Sequence, residues 1–249
     1  MTRARALNSP RPTWGYIRSW LYTIPVASLA TAVLITTAVT TAVFATGPWQ
    51  AFLYRLWGTT VCAIFGARVR VRGAENLQPG QNYVIVSNHL SLADTPVMVK
   101  SLPVPFKFLA KRELLKAPFI GWYLNRAGHL TVDRASLRSS IQSMNECARL
   151  IREKSLSVLI FAEGTRSLTG EIQPFKDGAA YLSIQSGVPA APVAIVGTWD
   201  LLPAKDSCFL PGDVELRIGE PLSPEGYTIR DRPAFTALLE ERVKGLLNA

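Results

Sequence analysis

An uncharged segment near the start of the chain constrains this sequence more than any other feature. Residues 21–46 are 26 in number and include no Asp, Glu, Lys, Arg or His. As a helix rising about 1.5 Å per residue, the segment would exceed the roughly 30 Å hydrocarbon core of a bilayer. A buried helix of a soluble core rarely has this length, and the apolar part of a cleaved signal peptide runs only about 7–15 residues. The segment therefore predicts a membrane anchor.

A second apolar segment, residues 49–66, follows and is interrupted only by Arg55. Gly47 and Pro48 between the two segments indicate a helix stop and a restart. One spanning helix would place the rest of the chain opposite the basic N-terminus, whereas a helical hairpin would return it to the same side. Basic residues flank both ends of the apolar region, which favours a hairpin with both ends in the cytoplasm. We predict that residues 1–66 are a basic N-terminus and two-helix anchor in the inner or cytoplasmic membrane, of undetermined depth.

The charge is concentrated at one end of the chain. Net charge is +9, from 27 Lys and Arg against 18 Asp and Glu. Glu75 is the first acid, and eight arginines precede it. Residues 75–249 therefore hold 19 bases against 18 acids. A basic head on a nearly neutral body is not typical of a nucleic-acid binder. The three cysteines (Cys62, Cys147 and Cys208) are far apart and form neither a CxxC metal motif nor a disulfide framework.

Residues 67–249 are predicted to form one α/β domain. The predicted strands are residues 67–72, 83–87, 106–110, 130–133, 157–162, 191–196 and 214–218. The clearest helix is residues 135–154, whose apolar positions recur at intervals of four and three, and a second amphipathic helix covers residues 233–247. Strands that alternate with helices predict a mostly parallel central sheet flanked by helices, preceded here by the two-helix membrane anchor.

The first candidate for chemistry is the segment Ser-Asn-His-Leu-Ser-Leu-Ala-Asp, residues 87–94, directly after a predicted strand. Strand ends are where open α/β sheets place ligand sites. His89 and Asp94 are five residues apart, which suits a strand, a turn and the first turn of a helix. A histidine held by an aspartate can take a proton from a hydroxyl. Ser91 and Asp94 also fit a helix capping box, so both interpretations stay open.

The second candidate is the segment Phe-Ala-Glu-Gly-Thr-Arg-Ser, residues 161–167, which also lies at the end of an apolar strand. Backbone N–H groups, a hydroxyl and a guanidinium at a strand end suit an anionic group such as phosphate. A polar turn with a solvated arginine is the alternative. Arg134 and Lys111 follow two further strands in the same way. His129 has no carboxylate at a useful spacing, so we interpret it as structural.

Nucleophile and phosphate-loop motifs are missing from the sequence. It contains no GxSxG, GxxxxGK[ST] or HExxH pattern, which leaves hydrolase, P-loop and zinc-peptidase functions without support. No covalent intermediate is needed if His89 activates a substrate hydroxyl directly.

Four segments together resemble the glycerolipid acyltransferase family, specifically the 1-acyl-glycerol-3-phosphate acyltransferases. The family's NHxSxxD block is similar to residues 88–94, its block ending in Asp-Arg to residues 128–134, its (F)PEGTRS block to residues 161–167, and its proline-containing apolar block to residues 188–196. Ala162 stands where the family usually has proline, and Leu90 where glutamine is common.

The resemblance implies an enzyme that transfers an acyl group from acyl-CoA or acyl carrier protein to lysophosphatidic acid, giving phosphatidic acid, without a further cofactor or a metal. It implies His89 as general base and Asp94 as its orienting partner. The residues implied in holding the phosphate-bearing acceptor are Glu163, Gly164, Thr165, Arg166, Arg134 and Lys111. Acceptor and product would both lie in an anionic bilayer, which suits the basic head. Another lysophospholipid or an amino-acid lipid as acceptor, or a non-catalytic membrane lipid binder, are the alternatives.

Overall fold

The computed structural model describes residues 11–41, 48–117 and 120–249, and it places seven strands at the predicted positions. The strands are β1 (Ala67–Arg72), β2 (Val84–Ser87), β3 (Lys107–Lys111), β4 (Leu130–Val132), β5 (Val158–Phe161), β6 (Ala190–Val196) and β7 (Gly212–Ile218). The α-helices are α1 (Thr13–Arg18), α2 (Ile24–Thr41), α3 (Pro48–Phe65), α4 (Asp94–Ser101), α5 (Ile120–Arg126), α6 (Leu137–Glu153), α7 (Gly178–Ser186), α8 (Thr198–Leu201) and α9 (Arg232–Asn248). Both amphipathic helices predicted from the sequence are present as α6 and α9.

The strands form one mixed sheet in the order β1-β7-β6-β2-β5-β3-β4. The five strands from β6 to β4 run parallel, β7 is antiparallel to β6, and β1 is parallel to β7. The prediction of a mostly parallel sheet flanked by helices is therefore confirmed. Because β2 lies between β6 and β5, the chain that leaves the carboxyl end of β2 lies beside the ends of both neighbours.

The apolar composition of the central strands follows from burial on both faces. Successive side chains of a strand point to opposite faces, so Ile85 packs on one side of β2 while Val84 and Val86 pack on the other. The Ile85 face is covered by α3 and α4, and the opposite face by α6, α7 and α9. Helices on both faces leave the strand ends as the positions where polar side chains can reach solvent.

The N-terminal helices pair as a hairpin. A π-helical segment, Ser19–Thr23, joins α1 to α2, and the stretch Thr13–Ala38 is the one helix among the described residues that is long and apolar enough to cross a membrane. Two side-chain hydrogen bonds, Trp49 Nε1 to Thr41 Oγ1 and Trp57 Nε1 to Thr31 Oγ1, show that α2 and α3 run antiparallel. This geometry is the one that a helical hairpin requires, while its place in a bilayer stays a prediction. Residues 1–10 and 42–47 of the predicted anchor lie outside the described residues.

The hairpin is also attached to the sheet. Val61, Cys62 and Phe65 of α3 are buried in the core on the Ile85 face. Ahead of α1, the guanidinium of Arg11 donates to the carbonyl oxygens of four residues and pairs with Asp206; the carbonyls belong to Trp199, Asp200, Leu201 and Cys208. Helix α3 thus contributes to both the predicted anchor and the core, and the predicted division at residue 66 stays a prediction.

Candidate active site

The sheet brings the two predicted motifs together at the carboxyl ends of its central strands. Ser87, the last residue of β2, pairs with Phe161, the last residue of β5. The segments that follow these strands therefore leave the sheet side by side, and His89 O accepts a hydrogen bond from Ser167 N at 2.9 Å. Two motifs that are 74 residues apart in the chain, measured from His89 to Glu163, form one site.

His89 and Asp94 form a hydrogen-bonded pair. His89 Nδ1 lies 2.8 Å from Asp94 Oδ2, and the Asp94 side chain is fully buried while the His89 side chain is 18% exposed. The same Asp94 oxygen accepts the backbone N–H groups of Leu90 at 2.7 Å and Ser91 at 2.8 Å. Asp94 therefore both orients the imidazole and organises the turn that carries it.

The capping interpretation of this motif is realised only in part. Helix α4 begins at Asp94 with Ala93 as its N-cap, so Ser91 is not the N-cap. The Ser91 hydroxyl accepts from Ala93 N and donates to Leu202 O at 2.7 Å. The Asp94 carboxylate does bind the Ser91 N–H, as the acid of a capping box would. The turn is thereby tied to the segment after α8.

The imidazole of His89 is held in one plane with its other nitrogen available. Its ring stacks on Phe161 with centroids 3.9 Å apart and an interplanar angle of 10°. Because Nδ1 faces the Asp94 carboxylate, a neutral ring carries its proton there and leaves the lone pair on Nε2. Nε2 has no hydrogen bond to a described residue. A nitrogen in this state can accept a proton from a substrate hydroxyl.

Glu163 holds the backbone of the same turn. Its carboxylate is buried, with Oε1 accepting His89 N–H at 2.6 Å and Oε2 accepting Gln173 N–H at 2.8 Å. Burial raises the pKa of the Glu163 carboxyl, although the two N–H donors oppose that shift. Both oxygens face backbone donors, which differs from the phosphate-binding role expected of Glu163 from the sequence.

The loop after β5 is surrounded by basic side chains. Arg134 Nη1 donates to Gly164 O at 2.9 Å, and exposed Lys111 ends β3 nearby in the sheet order. Arg166 is partly exposed and makes no hydrogen bond or ion pair to a described residue, and the neighbouring Thr165 is exposed. The structure thus places the predicted basic residues at the carboxyl ends of the parallel strands, where His89 also lies.

Sequence reasoning missed one basic residue at this loop, Lys176. Gly164 adopts a positive φ of 76°, and a Cβ built there would lie 3.0 Å from Lys176 Nζ. A backbone hydrogen bond from Lys176 N to Ala162 O, 2.9 Å long, holds the two segments together. No local pattern marks Lys176, because its proximity depends on how the loop of residues 163–177 folds back.

His129 has a separate environment. Its Nδ1 accepts the backbone N–H of Phe108 at 2.9 Å, and burial lowers its pKa to about 3. Its ring lies among Tyr54, Phe108 and Tyr123. These contacts give His129 a structural role at the amino end of β4. Across the described residues, no group of three or more His, Cys, Asp or Glu side chains is placed to hold a metal ion.

The family model described as Acyltransferase matches residues 68–196, so the chain belongs to the acyltransferase family. The prediction of this family from the four sequence blocks is confirmed.

Among curated relatives, the chain is 38% identical over 172 residues to the human 1-acyl-sn-glycerol-3-phosphate acyltransferase alpha, covering 69% of this chain and 61% of the relative. It is 36% identical over 177 residues to a Chlamydomonas reinhardtii 1-acyl-sn-glycerol-3-phosphate acyltransferase, covering 70% of this chain and 52% of the relative. The chain therefore matches between half and two thirds of the length of these relatives. The crystal structure of the Thermotoga maritima 1-acyl-sn-glycerophosphate acyltransferase, PlsC, superposes with a TM-score of 0.78 at 27% identity, covering 92% of this chain and 96% of that one.

Proposed function

We propose that this protein is a membrane-bound acyltransferase that moves an acyl group from a thioester to the free hydroxyl of 1-acyl-glycerol-3-phosphate, giving phosphatidic acid. The observation that carries the proposal is the His89–Asp94 pair, whose Nδ1 and Oδ2 atoms lie 2.8 Å apart at the carboxyl ends of the parallel strands. Lysophosphatidate as the acceptor is supported by the relatives, which are named as 1-acyl-glycerol-3-phosphate acyltransferases.

The chemistry follows from the geometry of the pair. As the acceptor hydroxyl approaches the thioester carbonyl, His89 Nε2 takes its proton and Asp94 stabilises the imidazolium that forms. The new C–O bond forms, the C–S bond breaks, and the leaving thiolate recovers the proton from His89. The reaction needs acyl-CoA or acyl carrier protein as donor and no further cofactor.

The acceptor phosphate belongs, in this proposal, beside the loop that follows β5. Arg166 supplies a guanidinium fork that has no partner among the described residues, Arg134 and Lys111 add positive charge, and Gly164 and Thr165 supply small groups that let a phosphate approach. We add Lys176 to this set because of its position against Gly164. Glu163 is assigned a positioning role in place of phosphate binding, since a carboxylate repels phosphate and both its oxygens already bind backbone N–H groups.

The membrane part of the proposal depends on the N-terminal helices. The stretch Thr13–Ala38 is long enough to cross a bilayer and leaves large side chains exposed, including Trp20 and Leu21. An acceptor and a product that both live in a bilayer would meet a protein anchored there. With the hairpin returning the chain, the acyltransferase domain faces the cytoplasm.

The test of the reaction is His89→Ala in the full-length protein, assayed with a labelled acyl thioester and a panel of lyso-lipid acceptors in vesicles. A positioned general base contributes about 10²–10⁴-fold, so we expect a loss of that order. Membrane fractionation should match the wild type and the variant should stay folded, with a lowered unfolding midpoint because Asp94 and Phe161 lose their contacts with the ring. If His89→Ala keeps more than about a tenth of the turnover, the general-base assignment is wrong.

The acceptor site is tested by Arg166→Ala. We expect the KM for lysophosphatidate to rise about tenfold to a hundredfold, because charge-assisted hydrogen bonds contribute roughly 1.5–3 kcal/mol each. Arg166→Lys should recover part of the loss, since it keeps the charge but not the fork. Arg152→Ala, an exposed arginine of α6, is the matched control. A rise in the KM for the thioester instead would place Arg166 at the donor.

A further inference from the structure

Arg11, which precedes the N-terminal helices, is buried against the segment that follows β6. Its side chain is 13% exposed, and its nitrogen atoms lie within 3.3 Å of five acceptors. These acceptors are the carboxylate of Asp206 and the carbonyl oxygens of Trp199, Asp200, Leu201 and Cys208. A guanidinium has five N–H donors, so the number of acceptors matches the number of donors. An arginine ahead of an apolar helix commonly faces lipid headgroups, whereas the donors of Arg11 are occupied by the protein itself.

The carbonyl groups that Arg11 binds lie mainly at the end of helix α8 (Thr198–Leu201). The last carbonyl groups of a helix have no partner within it, and a cation near them is favourable. Pro203 has no N–H group, so the helix could not satisfy Trp199 O by continuing. Arg11 therefore supplies the donors and the positive charge that this end of the helix lacks.

The same N-terminal segment contacts this part of the chain at further points. Ser19 Oγ accepts the backbone N–H of Phe209 at 2.7 Å, and Arg18 Nη1 donates to Phe209 O at 3.3 Å. A Cβ built at Gly15 would lie 2.6 Å from Cys208 Sγ, so the two segments are in close contact there. The start of the predicted anchor is therefore fixed to the segment between α8 and β7.

The segment after α8 also supports the turn that carries His89. Leu202, which directly follows α8, accepts a hydrogen bond from Ser91 Oγ at 2.7 Å, and both residues are buried. Ser91 N donates to Asp94 Oδ2 at 2.8 Å, and this oxygen also holds His89 Nδ1. The segment held by Arg11 is therefore two hydrogen bonds away from the Asp94 carboxylate.

We propose that Arg11 is a positioning residue, which fixes the segment after α8 and, through Ser91, holds the His89–Asp94 pair in the geometry that proton transfer requires. The inference rests on the proposed function. Without the guanidinium, the end of α8 loses its donors and the buried hydroxyl of Ser91 loses a fixed acceptor. A displacement of about 1 Å at a reacting group can lower a rate on the order of a hundredfold. Because the displacement here passes through two contacts, we expect a loss of about tenfold.

The experiment measures kcat of full-length Arg11→Ala with lysophosphatidate in mixed micelles, where insertion into a bilayer does not limit the reaction. We expect kcat to fall about tenfold, the KM for both substrates to stay within about twofold, and the unfolding midpoint to fall. Arg217→Ala is the matched control. Arg217 is 15% exposed, pairs with Glu215, and donates to the carbonyl oxygens of Leu246 and Leu247 at the end of α9. Its loss should lower the midpoint by the same mechanism and leave kcat at the wild-type value.

A double-mutant cycle tests the path through Ser91. Ser91→Ala removes the hydrogen bond to Leu202 O and should lower kcat by a similar factor. If Arg11 acts through this hydrogen bond, adding Arg11→Ala to Ser91→Ala causes little further loss. Losses that multiply in the double variant would show two independent effects and overturn the proposal. Wild-type kcat in Ser91→Ala would overturn it as well.

Arg11→Lys keeps the proposal testable if Arg11→Ala fails to fold. An ammonium keeps the charge beside Asp206 but carries its three donors on one nitrogen, so kcat should still fall severalfold. Wild-type kcat in either folded Arg11 variant overturns the positioning role, and so does an equal loss of kcat in Arg217→Ala. His89→Ala in the same assay separates this inference from the proposed function. Normal turnover in His89→Ala would contradict the proposed function, whereas normal turnover in Arg11→Ala beside an inactive His89→Ala would overturn the positioning role alone.

Discussion

Glu163→Gln is the substitution that best tests how this site is built. The change keeps the shape of the side chain and replaces one carboxylate oxygen by an NH2 group. In the wild type the two oxygens accept the backbone N–H groups of His89 and Gln173 at 2.6 and 2.8 Å. Whichever way the amide turns, one of these two N–H groups then faces another donor. The turn that carries His89 loses one of its attachments.

The magnitude follows from the contacts. A hydrogen bond to a charged group contributes about 1.5–3 kcal/mol, and a buried N–H left without an acceptor costs about 1–3 kcal/mol. Part of this loss is offset because a neutral amide avoids the desolvation that raises the pKa of the Glu163 carboxyl. We expect a net destabilisation of about 2 kcal/mol. A displaced His89 should lower kcat on the order of tenfold to a hundredfold, with little change in the KM for lysophosphatidate.

The assay compares kcat, KM for each substrate and the unfolding midpoint in detergent for Glu163→Gln and a matched control. Glu171→Gln makes the same charge change on an exposed residue of the same loop and should behave as the wild type. Wild-type kcat in a folded Glu163→Gln protein would refute the positioning role. A raised KM for lysophosphatidate with unchanged kcat would instead support the phosphate-binding role expected from the sequence.

Two further predictions concern stability. Burial lowers the pKa of His129 from an ordinary 6.5 to about 3, so as the pH falls the unfolded chain takes up the proton before the folded protein does. The stability that the buried neutral ring contributes is therefore complete above about pH 6.5 and is lost as the pH falls toward 3. Near pH 5 the loss is about 2 kcal/mol, and His129→Asn, whose oxygen can still accept from Phe108 N, should flatten this dependence in unfolding measurements near pH 7.5 and pH 5. Ala162→Pro restores the family's usual residue but removes the 3.0 Å hydrogen bond from Ala162 N to Ser87 O. It should lower the unfolding free energy by about 1 kcal/mol, and an unchanged midpoint would contradict that value.

Local patterns in the sequence were sufficient to predict the strands and the contact between His89 and Asp94. Apolar runs bounded by polar residues located all seven strands within about two residues, because burial on both faces demands such runs. His89 and Asp94 are five residues apart, so one turn brings them together without help from distant parts of the chain.

The reversal of β1 and β7 was beyond the local pattern. Strand direction depends on which neighbour a strand joins. Strand β7, which follows β6 in the chain, pairs antiparallel with β6. The same holds for α3, whose apolar residues pack partly on α2 and partly on the core of the sheet. A hydrophobic segment indicates that its side chains must be buried. It does not indicate which other element covers them.

The residues that could carry chemistry were recognisable from the sequence alone, since residue type and strand ends are local properties. The contacts of Glu163 and Lys176 became visible only in the folded chain. Glu163 reaches His89 because β2 and β5 are neighbours in the sheet, although β3 and β4 lie between them in the chain. Contacts of this kind depend on strand order, which is set by the packing of the whole domain and leaves no periodic signal near either residue.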